Sequence, residues 1–330
     1  MPQLTCYNKN KKGEIRMGWR RVFLGLCAAA LAVWLYLTMQ QPAGQQDSIR
    51  IGATYMTMNN PFYSVIDEEL RLMIESQGDI LLTRDPALDQ EKQNAQIHEL
   101  LASDIDLLVI NPVDFQQIRP ALEEARDAGV PVVIVDSQVS DPSLVTCTIA
   151  SDNYGAGVLC AVHLMRSRVS AHIVLLEHAA AQSAVDRIQG FCDTLAEHPA
   201  YEIVGQADCE GQLELAMPAL RKLLEEQPAI DVVMALNDPS ALGAMAALEE
   251  YGTLENTLVY GVDGAPEAKN MIYEGVMTAT VAQSPIQIGQ TTAQVAYQIL
   301  EGEPYDKVIT VPVKLITEEN VNQFGSDGWQ

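Results

Sequence analysis

The sequence lacks several things that define common protein chemistries. Its 330 residues hold six cysteines, none spaced as Cys-x-x-Cys, so a structural zinc site has no sequence support. The five histidines, His98, His163, His172, His178 and His198, fall in no His-Glu-x-x-His or other ligand spacing and are expected to be packed or helix-surface residues. No Gly-x-Ser-x-Gly elbow and no glycine-rich loop ending in Lys-Ser or Lys-Thr is present, which leaves hydrolase and P-loop chemistry without their motifs. Gly155-Ala-Gly157-Val-Leu-Cys160 is a partial dinucleotide fingerprint without its third glycine and reads as a helix-packing site. No cofactor, metal or catalytic residue is therefore expected. Asp136 and Asp263 could form an acid and base pair, but binding without chemistry explains them with fewer assumptions.

Basic residues are scarce too, 20 Lys+Arg against 44 Asp+Glu. Six of them, Lys9, Lys11, Lys12, Arg16, Arg20 and Arg21, precede the first apolar run. Beyond that run 14 basic residues face 43 acidic ones, a formal charge of −29, which repels nucleic-acid phosphates and anionic headgroups. No nucleic-acid partner is expected.

There is only one long apolar run. Val22 to Met39 is 18 residues without a charge, longer than a signal-peptide core of roughly 7–15 residues and close to the roughly 20 that span a bilayer. With the basic cluster ahead of it and no small-x-small cleavage site behind, it reads as an uncleaved transmembrane signal anchor rather than a cleaved signal peptide. Residues 1–21 become a cytoplasmic basic tail, 22–39 a single-pass anchor in the cell membrane, 40–49 a linker, and the remainder a soluble extracytoplasmic body. Cys6 lies in the tail and Cys27 in the run; Cys147, Cys160, Cys192 and Cys209, with apolar or helical neighbours, are expected to be mostly free and buried.

What the body does have is βαβα alternation, which predicts an α/β fold of parallel sheets flanked by helices. Strands are expected at Arg50–Tyr55, Ile80–Thr83, Leu107–Ile110 and Val132–Val135, with helical patterns from about Phe62, Gln90 and Phe115. The alternation pauses near Val145–Asp152, then resumes with strands at 173–176, 203–206, 232–236, 258–262 and 278–282. The segments after Gln283 exceed what the second sheet needs and read as a return to the first lobe. The expected division is 50–150 with 284–312 as the N-terminal lobe, and 151–283 with 313–330 as the C-terminal lobe and tail, with a ligand between them.

Polar residues cluster where strands end: Asn60, Asn111, Asp136, Ser137, Asn237, Asp263 and Gln283, with Arg187 on a following helix and Phe62 and Tyr63 beside Asn60. A parallel sheet gathers its strand carboxyl ends at one edge, so these should meet in one cleft. Carboxylates and amides for hydroxyls, a guanidinium fork and aromatic faces suit a neutral polyhydroxyl ligand. Singly, such residues are ordinary turn and cap formers. On that basis Asn59 is assigned to the turn, Asp238 before Pro239 to a helix cap, and Asp152 and Asn153 to capping.

Asn59-Asn60-Pro61-Phe62-Tyr63, Asp136, Arg187-Ile-Gln-Gly-Phe191, Ala235-Leu-Asn-Asp238, Gly261-Val-Asp-Gly264 and Ala282-Gln283 with Gln287-Ile-Gly289 together resemble the ribose and galactose type of periplasmic sugar-binding proteins over about residues 48–316. The resemblance implies a two-lobed type I periplasmic-binding fold with three interlobe crossings. It also implies a ligand shell of Asn60, Phe62, Tyr63, Asp136, Arg187, Asn237, Asp263 and Gln283. Ribose binders of this family carry arginine where this chain has Ser137, and a second stacking aromatic where it has Asp208-Cys209-Glu210-Gly211-Gln212. Ser137 and Glu210 therefore join the candidate set, and the expected ligand is a monosaccharide or polyol other than ribose. The resemblance implies delivery to an ABC importer. The anchor suits the alternative, a sugar sensor signalling to a membrane histidine kinase. A DNA-binding regulator of the same fold would need its recognition module where the apolar run stands, and a sugar-modifying enzyme lacks an activated nucleophile.

Overall fold

The computed structural model describes residues 48–226, 229–325 and 327–330, together with Leu31, Val33 and Trp34. Apart from those three residues and the end of the linker, the predicted tail, anchor and linker lie outside the described residues. Among the described residues no helix is long and apolar enough to cross a membrane.

Two six-stranded sheets organise residues 49–330. The first holds β1 (Arg50–Thr54), β2 (Ile80–Arg84), β3 (Leu107–Ile110), β4 (Val132–Val135), β5 (Cys147–Ser151) and β11 (Val308–Val311), in the order β11-β5-β4-β3-β1-β2 and wholly parallel. The second holds β6 (Ala171–Glu177), β7 (Tyr201–Asp208), β8 (Val232–Ala235), β9 (Leu258–Asp263), β10 (Ala279–Ala282) and β12 (Lys314–Thr317), in the order β12-β10-β9-β8-β6-β7. Only β12 runs antiparallel, against β10. The chain passes between the sheets after β5, after β10 and again between β11 and β12.

Among the described residues nine α-helices fill the connections: α1 (Pro61–Ser76), α2 (Gln90–Leu101), α3 (Arg119–Asp127), α4 (Asn153–Ser167), α5 (Gln182–Leu195), α6 (Leu213–Glu226), α7 (Asp238–Glu250), α8 (Pro266–Tyr273) and α9 (Pro285–Glu301). They cover both faces of each sheet, so central strands are apolar throughout instead of alternating. In β4, Val133 and Val135 pack with Ile66 of α1 and Ile288 of α9, while Val132 and Ile134 pack with Ile97 of α2 and Leu122 of α3. In β8, Val233 and Ala235 face α6 and α7, and Val232 and Met234 face α4 and α5. The four described cysteines are free thiols.

Three local expectations need correction. The pause at Val145–Asp152 contains β5, a full parallel strand between β4 and β11; its sequence, Cys-Thr-Ile-Ala-Ser, has a single branched apolar residue to announce it. The helix expected from Phe115 begins at Arg119, because the Asp114 carboxylate accepts from the Gln116 and Gln117 amides and holds a turn there. The cap of α7 is Asn237, whose Oδ1 accepts from the Ser240 amide at 3.0 Å. Asp238 is instead buried, its carboxylate accepting from the Ala265 amide at 2.7 Å and the Thr280 hydroxyl at 2.6 Å.

Candidate functional site

The carboxyl ends of both sheets face a cavity of only about 20 Å³ between the lobes. The lobes are thus closed on a narrow space. Five cross-lobe hydrogen bonds hold that closure: Asn59 Nδ2 to Gln212 Oε1 at 2.9 Å and to Glu214 Oε1 at 3.4 Å, the Phe115 amide to the Ala180 carbonyl at 3.0 Å, the Ser183 amide to Ser137 Oγ at 3.2 Å, and Asn153 Nδ2 to the Asp136 carbonyl at 3.3 Å.

Nine of the ten sequence candidates line this cavity: Asn60, Phe62, Tyr63, Asp136, Arg187, Glu210, Asn237, Asp263 and Gln283. Ser137 does not. It is fully buried behind the wall and its hydroxyl is occupied by the Ser183 amide. Asn59, read as the turn former of the pair, does more than that reading gave it. With Pro61 in the first turn of α1, Asn60 is the cap, its Oδ1 accepting from the Phe62 amide at 3.0 Å, and Asn59 is the one that reaches the opposite lobe.

Arg187 stands at the centre, 4% exposed. Its Nε donates to Asn153 Oδ1 at 2.8 Å and its Nη1 to the Leu236 carbonyl at 2.9 Å, with Asp263 Oδ1 3.8 Å away. Two glycines permit this placement. A Cβ on Gly157 would collide with the Arg187 carbonyl, and one on Gly190 with the Tyr154 carbonyl, so α4 and α5 lie backbone to backbone and deliver the guanidinium to the cavity. The helix-packing reading of the Gly155–Cys160 segment agrees with this contact. Asn153, read as a capping residue, instead clamps Arg187, and donates through Nδ2 to the Asp136 carbonyl at 3.3 Å.

Around this cation the polar groups are half used. Asp136 accepts from the Tyr63 hydroxyl through Oδ2 at 3.2 Å, and Asp263 accepts from Gln283 Nε2 through Oδ1 at 2.8 Å. Asp136 Oδ1, Asp263 Oδ2 and Gln283 Oε1 are buried without a partner. Buried polar atoms are nearly always hydrogen-bonded in folded proteins, so three idle acceptors in one cavity mark a place for donors. Burial pushes the Asp136 and Asp263 carboxyls above the usual range, and the Arg187 charge opposes that rise. Asp136, Glu210 and Asp263 also hold backbone φ of +64°, +51° and +141°, a region costly for residues with a Cβ and often occupied at functional sites.

The aromatic wall differs in detail from a simple stacking face. Phe62 is buried, edge-on to Tyr63 at 5.5 Å and to Trp329 at 5.7 Å. Sequence reasoning missed several wall residues, among them Met56, Thr57, His178, Ser183 and Leu236. Of these only Leu236 lies within a quoted motif, Ala235-Leu-Asn-Asp238, while Gln212, the alternative to Glu210 in the loop that lacks a ring, does line the wall.

A model of the periplasmic binding protein domain matches residues 51–304. The chain belongs to this family. The ribose import binding protein of Bacillus subtilis is 31% identical to this binding protein over 84% of the chain and 90% of its own length. Among solved structures, an ABC transporter solute-binding protein from Bacillus halodurans with bound myo-inositol superposes with a TM-score of 0.80 at 25% identity, covering 86% of this chain and 99% of that one. The fructose-binding periplasmic domain of a hybrid two-component system superposes at 0.79 and 25% identity, over 83% and 92%. The two α/β lobes are those of the type I periplasmic-binding fold. As a member of this sugar-binding family the protein is no enzyme, and its binding domain belongs on the extracytoplasmic side.

Proposed function

We propose that this protein captures one small polyol or monosaccharide between its lobes and presents the closed form to an ABC importer, while residues 22–39 tether it to the membrane. The observation that carries this reading is the trio of unpartnered acceptors, Asp136 Oδ1, Asp263 Oδ2 and Gln283 Oε1, around the buried Arg187 fork. Hydroxyl protons satisfy the acceptors, ring or hydroxyl oxygens accept from Arg187, and Phe62 and Tyr63 supply the apolar face. A cyclitol, a pentitol or a sugar other than ribose fits best, because Ser137 brings no charge and the wall at Glu210 and Gln212 brings no ring. Titration calorimetry of residues 46–330 with D-ribose, xylitol, myo-inositol and D-fructose tests this. Micromolar or tighter binding of a member other than ribose is expected, and no binding by any of them would refute the reading.

The sensor alternative has its own support: the basic cluster ahead of an uninterrupted apolar run, and the likeness to a binding domain from a two-component system. A tethered protein exchanges less freely between partners than a diffusing one. Crosslinking in membranes with and without ligand separates the two readings, an ABC permease being expected in the adduct for uptake and a histidine kinase for sensing.

A further inference from the structure

We infer that His178 is a specificity-determining residue of the ligand cavity, donating or accepting a hydrogen bond with a ligand hydroxyl presented to the second lobe. The inference rests on the polyol reading above and adds to it the side of the ligand that must be polar. His178 follows β6 directly, at the carboxyl edge of the second sheet. Its side chain is 8% exposed, lines the interlobe cavity, and also borders the adjoining groove beside Asp114 and Phe115. Both ring nitrogens are buried and neither has a hydrogen-bond partner.

The nearest charge does not account for the ring. Asp208 Oδ1 lies 3.7 Å from Nδ1, beyond hydrogen-bond reach. That carboxylate is committed to the turn after β7, accepting from the Glu210 amide at 2.9 Å and the Ala179 amide at 3.0 Å. Burial lowers the imidazole's affinity for a proton, against the pull of Asp208, Glu210 and Asp114. A neutral ring carries one donor and one acceptor. This differs in kind from Asp136 Oδ1, Asp263 Oδ2 and Gln283 Oε1, which only accept. The second lobe can therefore recognise a hydroxyl by either of its hydrogen-bonding senses.

Calorimetry and ligand-free thermal melting of wild type, His178→Leu and His178→Gln against D-ribose, xylitol and myo-inositol test the inference. For the tightest wild-type ligand, His178→Leu should weaken binding at least tenfold and His178→Gln should recover most of the loss. Ligand-free melting of His178→Leu should be unchanged or higher, since an apolar group replaces unpartnered polar atoms; a purely structural histidine would show the reverse. Binding by His178→Leu within twofold of wild type overturns the inference while leaving the polyol reading intact. Failure of wild type to bind any of the three or D-fructose overturns both.

Discussion

Replacing Arg187 with methionine tests the electrostatic logic of the cavity. The substitution keeps a flexible stem and removes the buried cation facing Asp136, Asp238 and Asp263. At 3.8 Å from Asp263, the attraction at an effective dielectric of about 20 is about 4 kcal/mol. Removing one partner of a buried pair costs about 3–5 kcal/mol for the same reason. The carboxyls are already biased toward protonation by burial, so they can discharge the penalty by taking up a proton. Chemical denaturation of ligand-free Arg187→Met should therefore show a loss of about 4 kcal/mol at pH 7.5 and a clearly smaller one at pH 5. Adding Asp263→Asn should recover part of the stability but none of the affinity, since the ligand still lacks its fork. An equal loss at both pH values, or ligand affinity within twofold of wild type, would refute this account of the site.

Other predictions follow from the same geometry. Burial raises Asp238 from the ordinary 3.8 to about 6, and raises Asp136 and Asp263 as well. A raised folded value stabilises fully below the unfolded value and loses that contribution as pH climbs through the folded one. Ligand-free protein should thus gain stability between pH 7 and pH 4, about 2 kcal/mol from Asp238 alone, and Asp238→Asn should flatten the slope in denaturant titrations. Phe62→Ala should cost about 3–5 kcal/mol of stability by emptying the packing against Tyr63 and Trp329, but only about 1 kcal/mol of affinity in calorimetry. Gly157→Ala should push α5 away and lower both stability, by about 1–3 kcal/mol, and affinity; unchanged affinity would show that Arg187 does not depend on that contact.

Sequence patterns revealed most strands because the central ones are buried on both faces and so appear as unbroken apolar runs such as Val132–Val135. They did not reveal β5, whose neighbour β11 joins it from more than 150 residues away; no local window contains that pairing. The cavity set was legible as far as strand ends predict convergence. Ser137 fell outside it because the left-handed turn at Asp136 directs the next residue into the wall, a backbone choice that no residue type announces. His178 was invisible for a related reason. Its burial is created by the loop after β7 and by closure of the other lobe, neither of which is written around position 178.

Closure itself can be weighed from these groups. In the closed form Asp136 Oδ1, Asp263 Oδ2 and Gln283 Oε1 are buried with no protein partner, at about 1–3 kcal/mol each where no bound hydroxyl fills them. The five cross-lobe bonds, Asn59 to Gln212 and to Glu214, Phe115 to Ala180, Ser183 to Ser137 and Asn153 to Asp136, return about 1 kcal/mol each. Penalty and return are of comparable size, so closure without a ligand is close to balanced. A ligand whose hydroxyls fill the three acceptors cancels the penalty without altering the cross-lobe bonds, so its affinity is greater for the closed form by that amount. On the proposed function, the acceptors at the strand ends would both select the ligand and set the switch, and a partner that recognises only closed lobes would read both at once.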